Sequence, residues 1–551
     1  MSVARGRAQE LAVALEASPR DAALRYALAQ ALKSSGAVND AVRTLAAGVQ
    51  LAPGEAERWL ALAALLMEIE LASPRVREDA AATPLQRAID TIEQALQLAP
   101  DSPAVLAQAA MTFRYACAWD RAAPCERALV QAARERARSF AVAPMIATAV
   151  VADAALQARA IRDFVTRTMP RTLPVTSAAY VRQPGSALRV GYLSADFHEH
   201  ATSHLMAGMF EAHDRARITT FAYALDRDDS SAMRARLHRA FANWRDVRDA
   251  SDEQTAAIVA GDSLDVLVDL KGHTSGSRMG ILARRPAPQQ IHYLGFPGTL
   301  AHPAIDAQVG DAIVVPPGDE AHYDERVLRL PHCYQANDRA RPLPARPHRI
   351  DVGLPERALV LVCFNQTYKL APAFFDVWLD VLSRHADAVL WLNAPNALAR
   401  RNLRAATQAR GVAPERVIFA PIVSQREHLA RLRCADLAVD VLPYGSHTTG
   451  SDALWCGVPL LTLTGSTFAG RVGTSLVHAV DLAELAMPTL DEYRETLHAL
   501  AGDRERLAQY REHLERERYR LPLFDTPRFT RDFEAMLESV ADLPPRTEQR
   551  T

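Results

Sequence analysis

Proline punctuates the first quarter of this chain at a regular step, and that step restricts what the segment can fold into. Ala17-Ser18-Pro19, Leu51-Ala52-Pro53 and Leu98-Ala99-Pro100 have matching flanks, and Pro19 and Pro53 lie 34 residues apart. Between them apolar and small residues recur in the order of a helix–turn–helix unit: Leu28, Leu32, Gly36, Ala41 and Leu45. The next unit repeats that order with Trp59, Leu62, Leu66, Ala88, Ile92 and Ala95, and is 13 residues longer because of a polar insert around Ser73 to Thr83. A third, looser unit runs from Asp101 through Phe113 and Ala122. A 34-residue period with these positions is the mark of tetratricopeptide repeats. One unit cannot bury its apolar face alone, so about three are the minimum for a stable stack. An ordinary helical bundle is the alternative, and it offers no reason for the step. The reading is a TPR-like α-solenoid over 1–135, then a helical linker over 136–187.

Near residue 185 the pattern changes to strand, then helix. Strands are expected at Leu188 to Leu193, Ile218 to Ala224, Val266 to Leu270, Gln290 to Leu294 and Ala307 to Val309, with helices at Ser231 to Ala242 and Asp252 to Ala260. A polar, proline-rich hinge, Arg339 to Arg349, interrupts. A second series follows: Ala358 to Cys363, Ala388 to Asn393, Val417 to Phe419, Leu437 to Val441 and Leu460 to Leu463, closed by a helix from Asp525 to Val540. Two β/α runs, 188–340 and 350–545, read as two doubly wound, Rossmann-like domains. Such sheets bind ligands at the carboxyl ends of their strands, so the cleft between the two domains is the expected active site.

Composition excludes several classes. The 63 basic and 65 acidic residues leave a formal charge of −2, which supplies no global field for a polyanion, so no nucleic-acid partner is expected. No apolar run approaches the ~18 residues that cross a bilayer. Met1 to Glu10 carries Arg5, Arg7 and Glu10 with no apolar run behind them, so no signal peptide is expected. The six cysteines are scattered without a C-x-x-C pair, which suits the reducing cytosol. A cytoplasmic enzyme or scaffold remains.

Four constellations stand at the strand ends. Leu442-Pro-Tyr-Gly-Ser-His-Thr-Thr-Gly-Ser-Asp452 runs from a strand through small and hydroxyl residues into a helix starting near Thr449. Free N–H groups at a helix N-terminus, with the Thr448 and Thr449 hydroxyls, make an anion cradle suited to a diphosphate; a simply capped helix uses the same residues. Phe364-Asn-Gln-Thr-Tyr-Lys369 follows an apolar strand, and its lysine either neutralises charge on a leaving diphosphate or is solvated surface. Ser424-Gln-Arg-Glu427 has capping-box spacing and sets His428 and Arg431 on one helical face. Asp196-Phe-His-Glu-His-Ala-Thr-Ser-His204 brings three histidines after the first strand. Zinc is one reading of His198, His200 and His204, but H-E-x-x-H is missing; an imidazole base or phosphate donor is the other. The one D-x-D, Asp226-Arg-Asp228, reads as a charged loop before a helix. No metal and no cofactor are expected.

Taken together, D-F-x-x-H-x-x-S-H-L, R-P-A-P-x-Q, L-G-F-P-G-T, F-N-Q-x-Y-K and H-T-T-G-x-D-x-L-W-x-G-V-P resemble the O-GlcNAc transferases of glycosyltransferase family 41 over about residues 188 to 540. The resemblance implies a GT-B fold and inverting, metal-independent transfer of GlcNAc from UDP-GlcNAc to Ser or Thr of a protein. It places His200 where the family has an essential histidine often proposed as base. It assigns Gln366 to the uracil, Lys369 to catalysis at the diphosphate, and Val423, Gln425, His428 and Arg431 to the nucleotide. His447, Thr448, Thr449 and Asp452 take the phosphate-loop and ribose contacts, and Leu294, Gly295 and Pro297 line the donor sugar. The repeats imply a protein acceptor lying along their groove, and a homodimer is one expected assembly.

Three departures qualify the donor. Gln425 replaces a lysine that stacks near uracil in the animal enzymes. Tyr444 replaces a small cysteine near the N-acetyl pocket, where a phenol would crowd an acetamide. Gly272-His273-Thr274 resembles the SPINDLY branch, associated with O-fucosylation from GDP-fucose, whereas Asp196 to Met206 follows the GlcNAc branch. The short hinge and few repeats suit a compact, bacterial-type member. The alternatives are a different nucleotide-sugar donor, or a TPR scaffold whose transferase half binds a nucleotide without turning it over.

Overall fold

The computed structural model describes residues 2–72, 83–135, 142–169, 173 and 185–543. The insert around Ser73 to Thr83 and the linker over 136–187 fall partly outside these residues. The chain forms two compact units: 1–142 with 365–379 and 392–422, and 143–364 with 380–391 and 423–551.

The first unit begins with helix Ser2–Ala17 and continues as three helix pairs: Ala22–Ser34 with Val38–Leu51, Ala56–Ala72 with Pro84–Leu98, and Pro103–Tyr115 with Trp119–Arg134. Each helix packs on the next. Local chemistry sets the ends. The Asp21 carboxylate accepts the Leu24 N–H (2.9 Å) and the Thr83 hydroxyl oxygen that of Gln86 (3.1 Å), while proline opens two helices where no amide hydrogen is needed. Gly36, with φ +84°, turns the chain between the first pair. The small positions of the repeat, Ala29, Ala41, Ala63, Ala88 and Ala110, are wholly buried. They let neighbouring helices approach closely.

Segments from much later in the sequence dock on the third pair. The Thr367 hydroxyl and the Asn396 amide both donate to the Tyr115 carbonyl (2.8 and 2.9 Å), and the Trp119 indole N–H donates to that of Leu370 (3.0 Å). Those donors reach carbonyls that a helix end leaves unpaired.

In the second unit, β1 (Leu188–Ser194), β2 (Ile218–Ala224), β3 (Asn243–Asp246), β4 (Val266–Asp269), β5 (Gln289–His292), β6 (Ala307–Asp311) and β7 (Arg326–Leu330) form one sheet ordered β3-β2-β1-β4-β5-β6-β7. The pairs β1–β2, β1–β4, β2–β3, β4–β5, β5–β6 and β6–β7 are all parallel. Helices cover both faces of such a sheet, which is why its central strands read as continuous apolar runs. A second sheet places β8 (Leu359–Cys363), β11 (Leu437–Val439), β12 (Leu460–Leu463) and β13 (Ala486–Met487) in this unit, in the order β8-β11-β12-β13; β9 (Ala388–Asn393) is divided between the units and β10 (Val417–Ala420) belongs to the first. Three of these strands, β3, β7 and β13, are missing from the sequence reading. They are short or half-exposed edge strands without an apolar run.

Within this unit the Ser475 hydroxyl donates to Asp311 Oδ2 at the end of β6 (2.6 Å), and Tyr334 meets Phe468 edge-on (4.9 Å). The closing helix, Thr526–Ala541, returns to the first sheet, where Phe533 packs on Tyr293 (4.9 Å) and buried Glu534 pairs with His213 (2.9 Å). The hinge is not the solvated link its composition suggests, because Arg341 and Arg349 are both buried. Among the described residues no helix is long and apolar enough to cross a membrane.

Candidate active site

The carboxyl ends of β1, β4 and β5, adjacent in the first sheet, carry one hydrogen-bonded assembly. After β1, buried Asp196 receives Lys271 Nζ on both oxygens (2.8 and 2.7 Å). At the end of β4, Asp269 accepts the Lys271 and Gly272 N–H groups (3.1 and 2.7 Å) and faces His292 Nδ1 at 2.9 Å. The carboxylate holds the proton on that nitrogen, so His292 Nε2 accepts the Phe296 N–H (3.1 Å). This closes the turn after β5 that contains Leu294, Gly295 and Pro297. Leu294 takes φ +67°, and a Cβ on Gly295 would lie 2.2 Å from the Leu270 carbonyl oxygen, so only glycine fits there.

His200 caps helix Ala201–Ala212, its Nδ1 accepting the Thr202 N–H (3.2 Å). Burial lowers its pKa; Asp196 opposes this, and Lys271 and the neighbouring histidines reinforce it. His273 lies edge-on to Phe296 (5.2 Å), its ring nitrogen 2.8 Å from the Leu300 carbonyl, and burial pushes its pKa down to about 4. Asp226 and Asp228 both pair with Arg234 (2.9 and 3.4 Å), so the D-x-D carboxylates are engaged by a guanidinium.

At the second sheet, Asp440 follows β11 and accepts the Val441 and Ser446 N–H groups (2.8 and 2.7 Å) and the Thr462 hydroxyl (2.8 Å). It thereby folds the loop 441–446 and delivers the chain to helix Thr448–Trp455, which starts one residue earlier than the sequence suggests. Its first-turn amides and both threonines open the helix. Tyr444 is buried, its ring 4.9 Å from that of His447. Helix Gln425–Leu432 carries the capping box in full: Ser424 Oγ accepts the Glu427 N–H (3.3 Å) and Glu427 returns to the Ser424 N–H (3.0 Å). Val423 and Gln425 flank that cap and are half-buried. On the same helix Arg431 stacks over Phe364 (5.0 Å), and His428 lies 5.4 Å from that ring. Burial lowers both pKa values, that of Arg431 to about 10.

Asp452 joins these parts. Its Oδ1 accepts from Arg341 Nη1 (2.8 Å), and Oδ2 lies 3.8 Å from His428 Nε2. Arg341 is sandwiched by Trp455 (5.0 Å) and Phe524 (5.9 Å). The sequence reading passed over Arg341, Asp440 and Lys271. A hinge arginine has no spacing signal, and a lone charge after a strand becomes informative only when its partner is placed. Gln366 and Lys369 fall in the first unit, Lys369 at the end of the turn Thr367–Lys369 and Gln366 just before it. Buried Arg114 donates to the Tyr368 carbonyl (2.6 Å) and pairs with Glu126 (2.7 Å), which fixes that turn on the third helix pair. Lys369 is buried and Gln366 exposed.

The family model for glycosyl transferase family 41 matches residues 169–350 and 346–533. The chain belongs to glycosyl transferase family 41. Among relatives, a probable UDP-N-acetylglucosamine–peptide N-acetylglucosaminyltransferase, SEC, of Arabidopsis thaliana is 36% identical over 374 residues, 67% of this chain and 38% of its own length. The UDP-N-acetylglucosamine–peptide N-acetylglucosaminyltransferase of Caenorhabditis elegans is 26% identical over 508 residues, 72% of this chain and 44% of its own. This member of the family thus spans well under half the length of these two relatives. A solved structure of a mutant O-GlcNAc transferase from Thermobaculum terrenum superposes with a TM-score of 0.70 at 27% identity, covering 97% of this chain and 94% of that one. The fold is therefore a TPR-like helical segment followed by a GT-B pair of Rossmann-like sheets, as the resemblance implied.

Proposed function

We propose that this family 41 chain moves GlcNAc from UDP-GlcNAc to serine or threonine hydroxyls of proteins by a single inverting displacement that needs no metal. The observation that carries the reading is the likeness to the Thermobaculum terrenum enzyme across nearly the whole of both chains. The 36% identity to SEC supports the same donor, against 28% to a SPINDLY relative of tomato. The half-buried His428 and buried Arg431 beside the Phe364 ring suit a nucleotide, and the first turn of helix Thr448–Trp455 suits phosphate oxygens. The proposal includes a protein acceptor guided by the helical repeats, pairing of chains through them, and a reducing compartment, in keeping with six buried, unbridged cysteines.

Calorimetry with UDP in the presence of a chelator tests it. Uptake with unchanged affinity is expected; no uptake, or uptake abolished by the chelator, would refute the reading. The donor follows from a thermal-shift panel. UDP-GlcNAc is expected to stabilise the chain more than UDP-glucose or GDP-fucose, by the mass-action rise that ligand binding to the native state produces.

Tyr444 supports a second donor reading. The resemblance puts this position beside the donor's acetamide, and the Tyr444 phenol there is buried with its ring 4.9 Å from that of His447. Substituting Tyr444→Cys is expected to shift the kcat/KM ratio of UDP-GlcNAc over UDP-glucose upward by about tenfold, the scale of one group removed from a pocket. An unchanged ratio means that Tyr444 does not set donor choice.

A further inference from the structure

Two histidines near the end of β1 sit in opposite hydrogen-bonding states. His200 Nδ1 accepts the Thr202 N–H at 3.2 Å, and the Asp196 carboxylate, 3.6 Å away, is beyond hydrogen-bond distance. That carboxylate is already balanced by Lys271 on both oxygens. A neutral imidazole whose Nδ1 accepts carries its proton on Nε2. The outward nitrogen of His200 is thus a donor and has no lone pair for a substrate proton.

His198 is arranged the other way. Its Nδ1 lies 2.9 Å from Asp226 Oδ2. An ionised carboxylate only accepts, so Nδ1 carries the proton and the lone pair is on Nε2. Among the described residues that Nε2 has no hydrogen-bond partner, and the side chain is 30% exposed. Asp226 is itself held: Arg234 Nη1 donates to the same oxygen (2.9 Å) and to the Phe197 carbonyl (3.1 Å), and its guanidinium lies 5.2 Å over the Trp244 ring. The two imidazole centroids are 5.6 Å apart, so the rings are close neighbours. Base, orienting carboxylate and a fixed third group are the parts of a proton-accepting site.

We propose that His198, oriented by Asp226, is the general base of this chain, and that His200 is its hydrogen-bond-donating neighbour. The assignment rests on the glycosyl transfer proposed above. The acceptor oxygen forms a bond to the anomeric carbon, and the bond from that carbon to the diphosphate oxygen breaks. Its electron pair leaves with UDP. The hydroxyl proton moves to His198 Nε2, and the imidazolium is paired with Asp226 until solvent takes the proton. The charged and titratable groups around His198 are Asp226 and Asp229 on the loop after β2, Asp228 with Arg234, the Glu199–His204 pair, and His200.

The test uses the full chain and UDP-GlcNAc, with water as the acceptor that the same base would activate. His198→Asn and the near-isosteric Asp226→Asn are each expected to lower kcat for hydrolysis by about 100-fold, the scale of a lost general base. UDP affinity by calorimetry should stay within about threefold, consistent with loss of proton transfer rather than nucleotide binding. Wild type should show an acid limb, losing rate as pH falls. That acid limb should vanish in His198→Asn and persist, at reduced rate, in His200→Asn. A His198→Asn enzyme within threefold of wild type, or an acid limb that survives in it and disappears in His200→Asn, would overturn the assignment. If His198→Asn does not fold, an Asp226→Asn enzyme with unchanged kcat does the same. A wild type that neither binds UDP nor hydrolyses the donor removes the transferase reading and the base with it. A wild type that does both, with His198→Asn unaffected, removes the base alone.

Discussion

Truncating Lys369 to alanine is expected to lower donor turnover by at least about 100-fold while the protein stays folded. That is the scale for losing one group that stabilises charge developing in a transition state. The resemblance assigns the ammonium to the departing diphosphate, where negative charge grows as the glycosidic bond breaks. The fold should survive because the turn is held through its backbone. Arg114 donates to the Tyr368 carbonyl, Trp119 to that of Leu370, and the Thr367 hydroxyl to Tyr115. None of these bonds uses the Lys369 side chain. The measurement is kcat alongside the thermal midpoint and circular dichroism. Near-normal turnover in a folded Lys369→Ala protein would refute the role.

The second large effect is on stability. Asp196 and Lys271 are 6% and 4% exposed, and the lysine spans both carboxylate oxygens. Substituting Lys271→Met leaves a buried carboxylate with no cation, which costs about 3–5 kcal/mol when one partner of a buried pair is lost. Combining Lys271→Met with Asp196→Asn removes the stranded charge, so the double variant should recover part of the loss. The check is the urea midpoint of the three proteins. A double variant no more stable than Lys271→Met would mean that packing, rather than charge, accounts for the effect. The same substitution leaves Asp196 unbalanced beside His200, so the His200 pKa should rise, as NMR titration of its ring protons can follow.

Much of the architecture was legible in the chain. Apolar runs located β1, β2, β4, β8, β9 and β12 to within a residue or two, because strands covered by helices on both faces admit few polar residues. The 34-residue step anticipated the helix pairs, since a stack of similar units repeats its small positions wherever two helices touch. Edge strands escaped detection. Arg-Val-Leu-Arg-Leu at β7 reads as nothing until β6 lies beside it.

The candidate site was legible by residue type and illegible by state. His198 and His200 were visible as a cluster, and Asp226 as half of a D-x-D motif. Neither the tautomer of each ring nor the pairing of Asp226 with His198 can be read from residues 28 positions apart. Arg341 in a proline-rich hinge looked solvated, and its burial between Trp455 and Phe524 depends on segments far along the chain. The family motifs, the order of strands and helices, and the loops that carry chemistry are matters of local sequence, because propensity, capping and periodicity act over a few residues. Which charge meets which, and which nitrogen keeps its proton, was decided by tertiary structure. Those outcomes depend on burial and on partners that come into range only when distant strand ends are brought together.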